Sequence, residues 1–196
     1  MKWIAPFLLI LFLSCKSEKD KLPFLSYTIN AAGEKELYEI SYNGQFKNQL
    51  NAEFSDSLIE DKVFLANFFF TRCPSICPPM RQQLIGIANE IDDEDFMILS
   101  HTIDPEHDVS EVLKDYAGAT GIPTEKWQFL TASESITKNM AEQYKTNFKP
   151  NEDGTDFYHS SYVALMDKDA MIRGFYDLLK PKEVELLKID IESLLD

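Results

Sequence analysis

Apolar positions change their period several times along the chain, and each change marks an element. KVFLANFFF (62–70) is an unbroken apolar run, the pattern of a central strand covered on both faces. After it, Met80, Leu84, Ile87 and Ile91 recur at steps of four, three and four, which predicts one helical face from about Pro78 to Asn89 or Ile91. FMILSHTID (96–104) predicts a strand, and SEVLKDYAGATG (110–121) a helix that turns Val112, Leu113 and Tyr116 inward. KWQFLTA (126–132) predicts a short strand, and SITKNMAEQY (135–144) a helix with Ile136, Met140 and Tyr144 aligned. HSSYVALMD (159–167) and AMIRGFYD (170–177) read as strands joined at Asp167-Lys168-Asp169, hence a hairpin. KEVELLKIDIESLL (182–195) closes the chain as a helix with Val184, Leu187, Ile191 and Leu194 on one face. Nearer the start, LYEISYNGQFKNQL (37–50) alternates around Asn43-Gly44, a pair that predicts two short strands joined as a hairpin. Residues 16–36 read as a tether and lead-in, 51–61 as a polar connection, and 145–158 as a loop.

Strands alternating with helices predict the α/β class: a mostly parallel central sheet, antiparallel edge hairpins and flanking helices. Cys73 and Cys77 fall where the first buried strand meets its helix. That order of elements, with a cysteine pair at that junction, is the topology of the thioredoxin-like fold. A chain of 196 residues, 44% hydrophobic, suits one such domain with a small extra piece. The organisation expected is a signal peptide at 1–14, a lipid-anchored tether at 15–36 and the folded domain at 37–196.

Charge and the N-terminus narrow the partners. With 33 acidic against 19 basic residues the formal charge is −14, a surface that repels nucleic acid. MKWIAPFLLILFLSC holds an apolar run from Phe7 to Leu13 with the proportions of a secretory signal. The small Ser14 followed by Cys15 resembles a bacterial lipobox, in which the chain is cut before the cysteine and its thiol carries lipid. The expected location is the bacterial cell envelope, exported and anchored outside the cytoplasm. An uncleaved anchor helix would export the domain equally. Cys15 is then consumed by lipid, and Cys73 and Cys77 remain as a pair in an oxidising compartment.

The pair lies four residues apart at a predicted helix start, with Pro78 and Pro79 suited to the first turn. Residues at that spacing share a helical face, and the helix N-terminus stabilises negative charge on sulfur. Neighbouring thiolates can form a disulfide or bind a soft metal such as Cu(I), zinc or iron in a cluster. A structural staple closing so small a loop has little entropy to remove. Structural zinc and iron–sulfur sites want about four protein ligands; two cysteines completed by one histidine suit Cu(I). Three histidines are available. His101 lies in a predicted strand and His107 in the DPEHD loop, whereas His159 opens the last hairpin, where this topology returns beside the cysteines.

Three stretches resemble the SCO/SenC family of copper-binding proteins that assist cytochrome c oxidase assembly: FFFTRCPSICPPM, TIDPEHDVSEVLKDYA and HSSYVALMDKDAMIRGFYD. The resemblance spans roughly residues 37 to 195. It implies a thioredoxin-like fold and copper, as Cu(I) or Cu(II), held by Cys73, Cys77 and His159. It further implies delivery to the copper-binding subunit of cytochrome c oxidase by a metallochaperone tied to the membrane through lipid on Cys15. Asp104 matches an aspartate of the family's D-P stretch and is read as structural or supporting; His107 stands where many members carry arginine. The alternative is a thiol–disulfide oxidoreductase, or a redox sensor, using Cys73 and Cys77 as a redox-active pair. The chain is expected to be a monomer.

Overall fold

The computed structural model describes residues 22–152 and 157–196. In chain order the strands are β1 (Tyr27–Ile29), β2 (Lys35–Leu37), β3 (Phe46–Asn48), β4 (Glu53–Phe54), β5 (Val63–Phe69), β6 (Phe96–Thr102), β7 (Trp127–Thr131), β8 (Lys149–Pro150), β9 (Phe157–Tyr158), β10 (Tyr162–Met166) and β11 (Ile172–Asp177). The helices are α1 (Cys77–Glu90), α2 (Ser110–Gly118), α3 (Glu134–Gln143) and α4 (Pro181–Leu195).

The apolar run behaves as its pattern demands. All seven residues of β5 are buried, as are all seven of β6 beside it. They sit at the middle of a seven-stranded sheet of order β11-β10-β5-β6-β7-β3-β4. The pairs β5–β6 and β6–β7 are parallel. On both flanks the pairing turns antiparallel, with β10–β11 at one edge and β3–β4 at the other. This mixed α/β sheet with helices on its faces is the expected thioredoxin-like architecture. The helical stripes also dock as read: Met80, Leu84 and Ile87 of α1 and Val184, Leu187 and Ile191 of α4 are buried.

Three segments differ from the sequence reading. Asn43 and Gly44 do form a tight turn, both at positive φ, closed by the Gln45 N–H on the Tyr42 carbonyl at 3.1 Å. The hairpin around it does not form. β3 pairs instead with β4 and β7, which fills both of its edges. Residues 38–42 are therefore left to pack over the sheet, burying Ile40 and Tyr42, and β2 pairs with β1. The stretch 51–61 is more than a connection, since it supplies β4 and a 3-10 turn (Asp56–Leu58). The 145–158 loop holds a two-stranded pair, Lys149 opposite Tyr158 and Pro150 opposite Phe157.

Residues 22–26 of the lead-in pack against the sheet. Leu25 donates to the Ile172 carbonyl at 2.8 Å, and the Arg173 guanidinium bonds the carbonyls of Leu22 and Pro23 while lying 4.2 Å from the Phe24 ring centre. Arg173 is paired in turn with Asp167 at 2.8 Å. These residues adjoin the row Ile172–Met166–Phe64, at the N-terminal end of β5. Next to Arg173, Gly174 leaves room for the Tyr176 ring, which a Cβ there would meet at 2.6 Å.

Candidate metal centre

At the other end of β5 the chain leaves the sheet and turns into α1. Cys73 stands in that turn, with its N–H on the Phe70 carbonyl at 3.2 Å. Cys77 is the first residue of α1, with Pro78 and Pro79 next. Proline lacks the N–H that a first helical turn leaves without a partner, so the two prolines start the helix at no cost in hydrogen bonds. The Cys77 N–H does have a partner, the Cys73 sulfur at 3.4 Å. No acidic side chain occupies this first turn to oppose the helix terminus, which favours anionic sulfur.

His159 arrives from the opposite side, directly after β9. Its Nε2 lies 3.5 Å from the Cys77 sulfur and 3.9 Å from the Cys73 sulfur. Its Nδ1 lies 3.2 Å from the Ser160 carbonyl, an oxygen that can only accept. The ring hydrogen therefore belongs on Nδ1, and Nε2 presents a lone pair to the two sulfurs, the tautomer a metal ligand needs. The donor atoms of the three residues all lie within 4.8 Å of one another. Phe70 fixes the ring: its centroid is 5.7 Å from that of His159 and 5.1 Å from that of Phe157, both edge-on.

The two thiols, both free, are electrostatically unlike. Burial alone would raise the pKa of Cys73, but the N–H groups of Cys77 and Ser75 aimed at its sulfur outweigh it and hold the value below the ordinary thiol range. Burial pushes the Cys77 thiol well up, the Phe70 contact opposing and Cys73 adding to the rise. The hollow behind Cys77, lined by Arg81 and Tyr116 among others, measures about 10 Å³, too small for a water molecule with partners.

The remaining sequence candidates fall elsewhere. His101 is fully buried in β6 between the stacked rings of Tyr42 and Phe68, with Nδ1 on the Asn67 carbonyl and Nε2 on the Tyr42 hydroxyl. His107 is exposed in the loop after β6. Asp104 pairs with Arg72 at 2.5 Å, one residue from Cys73. Cys15 lies outside the described residues. Two supports escaped the sequence reading. One is Phe70. The other is Asp108, which is fully buried and accepts from the Thr71 N–H at 3.0 Å, the Thr71 hydroxyl and the Thr102 hydroxyl at 2.5 Å. Both lie inside the motifs quoted above, yet their contacts join segments that no local pattern connects.

A thioredoxin-like domain with two cysteines and a histidine converging at a strand–helix junction defines a class: thiol proteins able to hold a soft metal. The family profile described as SCO1/SenC matches residues 32–195, and the chain belongs to that family. Among solved structures it is similar to a SCO1/SenC family lipoprotein from Bacillus anthracis, with 25% identity and a TM-score of 0.71 over 78% of this chain and 92% of that one. It is similar to BsSco, described with a disulfide switch and as a member of the Sco family of cytochrome c oxidase assembly proteins, with 25% identity and a TM-score of 0.70 over 89% and 96% of the two chains. Yeast Sco1 with copper bound matches with 25% identity and a TM-score of 0.61 over 76% and 86%.

Proposed function

We propose that this protein binds copper through Cys73, Cys77 and His159 and delivers it to the copper-binding subunit of cytochrome c oxidase. The observation that carries the reading is the convergence of the His159 Nε2 lone pair on both sulfurs. Thiol exchange has no use for that histidine, whereas a soft metal held by two sulfurs and a nitrogen does. Copper-bound yeast Sco1 and the oxidase-assembly role of the Sco family support the same assignment. Cys73 and Cys77 supply the charge that holds the ion, and His159 supplies a neutral third donor. Oxidation of the pair to a disulfide would remove two donors and release the metal. The domain would be tied to the membrane by lipid on Cys15 after removal of residues 1–14, in line with the lipoprotein from Bacillus anthracis. Among the described residues no helix is long and apolar enough to cross a membrane.

X-ray absorption on the reduced, copper-loaded protein tests the ligand set. Two sulfurs and one nitrogen are expected, and four sulfurs would overturn it. His159→Ala should lose tight copper binding while Cys73 and Cys77 still oxidise to a disulfide; unchanged copper affinity in that variant would sink the assignment.

A second reading, thiol–disulfide exchange on the oxidase's own cysteines, is favoured by the unlike thiols: Cys73 has its pKa held down and Cys77 has it raised. That is the division between an attacking and a resolving thiol. Efficient turnover of a cuproprotein disulfide without copper would favour it over metal delivery.

A further inference from the structure

Asp108 is a fully buried carboxylate packed against the cysteine turn from inside the protein. It is 0% exposed, and its donors are all neutral: the N–H and hydroxyl of Thr71 and the hydroxyl of Thr102. Among the described residues it joins no ion pair. The nearest cation in sequence, Arg72, is paired with Asp104 and attracts Asp108 only at longer range. A buried charge without a cation in contact is costly, and neutral hydrogen bonds lower that cost without cancelling the charge. As a brace between the cysteine turn and the loop after β6, the residue need not be charged. Asparagine could accept from the same N–H, and its amide could donate to a rotated hydroxyl. The charge itself therefore calls for a role. Thr71, which the carboxylate holds through its N–H and hydroxyl, is two residues from Cys73.

We propose that Asp108 is a positioning residue that biases the Cys73–Cys77–His159 cluster toward Cu(II) over Cu(I). The inference rests on the copper reading above. Two thiolates and a neutral imidazole around Cu(II) make a neutral site; around Cu(I) they carry one net negative charge. Reduction adds one electron from an external one-electron reductant, breaks no ligand bond and moves no proton. A fixed anion nearby disfavours the product of that step more than the reactant. Asp108 thereby lowers the midpoint potential of the bound copper, while its hydrogen bonds hold Thr71 and so the turn that carries Cys73. A brace alone would change affinity for both ions together; the charge changes their ratio.

The test uses the full chain in detergent. Cu(I) and Cu(II) affinities are read by chelator competition, and the midpoint potential by titration of the Cu(II)–thiolate absorption. Asp108→Asn should lower the Cu(II)-to-Cu(I) affinity ratio about tenfold, equivalent to a potential about 59 mV higher for a one-electron couple. A ratio within about twofold of the unaltered protein would overturn the inference. If Asp108→Asn fails to fold, Thr102→Val keeps the carboxylate and removes one hydroxyl that offsets it. The ratio should then move the other way, toward Cu(II), and an unmoved ratio overturns the inference. Absence of any copper binding in the unaltered protein overturns the copper reading and this inference together, whereas binding with an unmoved ratio overturns this one alone.

Discussion

At the scale of single residues, the cluster depends on side chains that are not ligands. Phe70 is 1% exposed and packs edge-on against both Phe157 and His159, so the ring that positions the nitrogen donor directly follows β5 on the way to the sulfur donors. Phe70→Ala should cost roughly 3–5 kcal/mol of stability, the range for truncating a buried phenylalanine. It should also weaken copper binding while leaving Cys73–Cys77 disulfide formation intact. Urea unfolding and copper titration of the same variant check both parts; undiminished affinity would show that His159 is held by other means. Gly174→Ala should cost about 1–3 kcal/mol, because the added methyl must displace the Tyr176 ring. That Cys73, Cys77 and His159 come together was expected from the sequence, the cysteine pair from its place at a strand–helix junction and His159 chiefly through the family resemblance. Phe70 and Asp108 were not: a phenylalanine in an apolar run and an aspartate in a polar loop have no distinctive signature until the fold brings them to the cysteine turn.

At the scale of elements, strongly periodic segments and the short strand β7 came out as read, whereas the strands of two or three residues did not. β5, β6, α1 and α4 have runs long enough for burial on fixed faces to specify them. The Asn43-Gly44 turn formed as its residues require, but whether its arms pair is decided by competition for strand edges, and β7 and β4 take those of β3. Local pattern carries no information about that competition. β8 and β9 have two residues each, below what periodicity can resolve. The Arg173–Asp167 pair shows a related effect, since it fastens Leu22 and Pro23 to the sheet from more than a hundred residues away. Both side chains are about one-tenth exposed, so removing one leaves the other charge buried. Arg173→Leu should cost roughly 3–5 kcal/mol and open residues 22–26 to proteolysis, read by limited digestion. Equal protection of that segment in the variant would show that Leu25 and Ser26 hold it unaided.

At the scale of the whole molecule, His101 links stability to pH. Burial lowers its pKa from 6.5 to about 4, against the smaller opposing effect of the Asn67 carbonyl. Unfolded, it takes up a proton near 6.5; folded, only near 4. Within that window the unfolded chain binds more protons, so its stabilising contribution is complete above 6.5 and declines as pH falls toward 4. The loss amounts to roughly 3 kcal/mol at the acid end. Urea midpoints measured across this range should fall with acid, and more shallowly in His101→Gln; parallel slopes would exclude His101 as the cause.

The fastening of the N-terminal lead-in has a consequence of position. Leu22 and Pro23 are held beside the row that contains Phe64, while the cluster lies beyond Phe69 at the far end of the same strand. At about 3.3 Å per residue the strand separates the two ends by roughly 20 Å. Were Cys15 lipid-anchored as proposed, the domain would stand as a post whose foot is Arg173 and whose head carries the sulfurs. The six residues from Lys16 to Lys21 would then limit its height to at most about 3.5 Å for each. A copper acceptor that meets this head must itself stand clear of the lipid, and lengthening or shortening that leash should change delivery on membranes while leaving copper affinity in detergent unaltered.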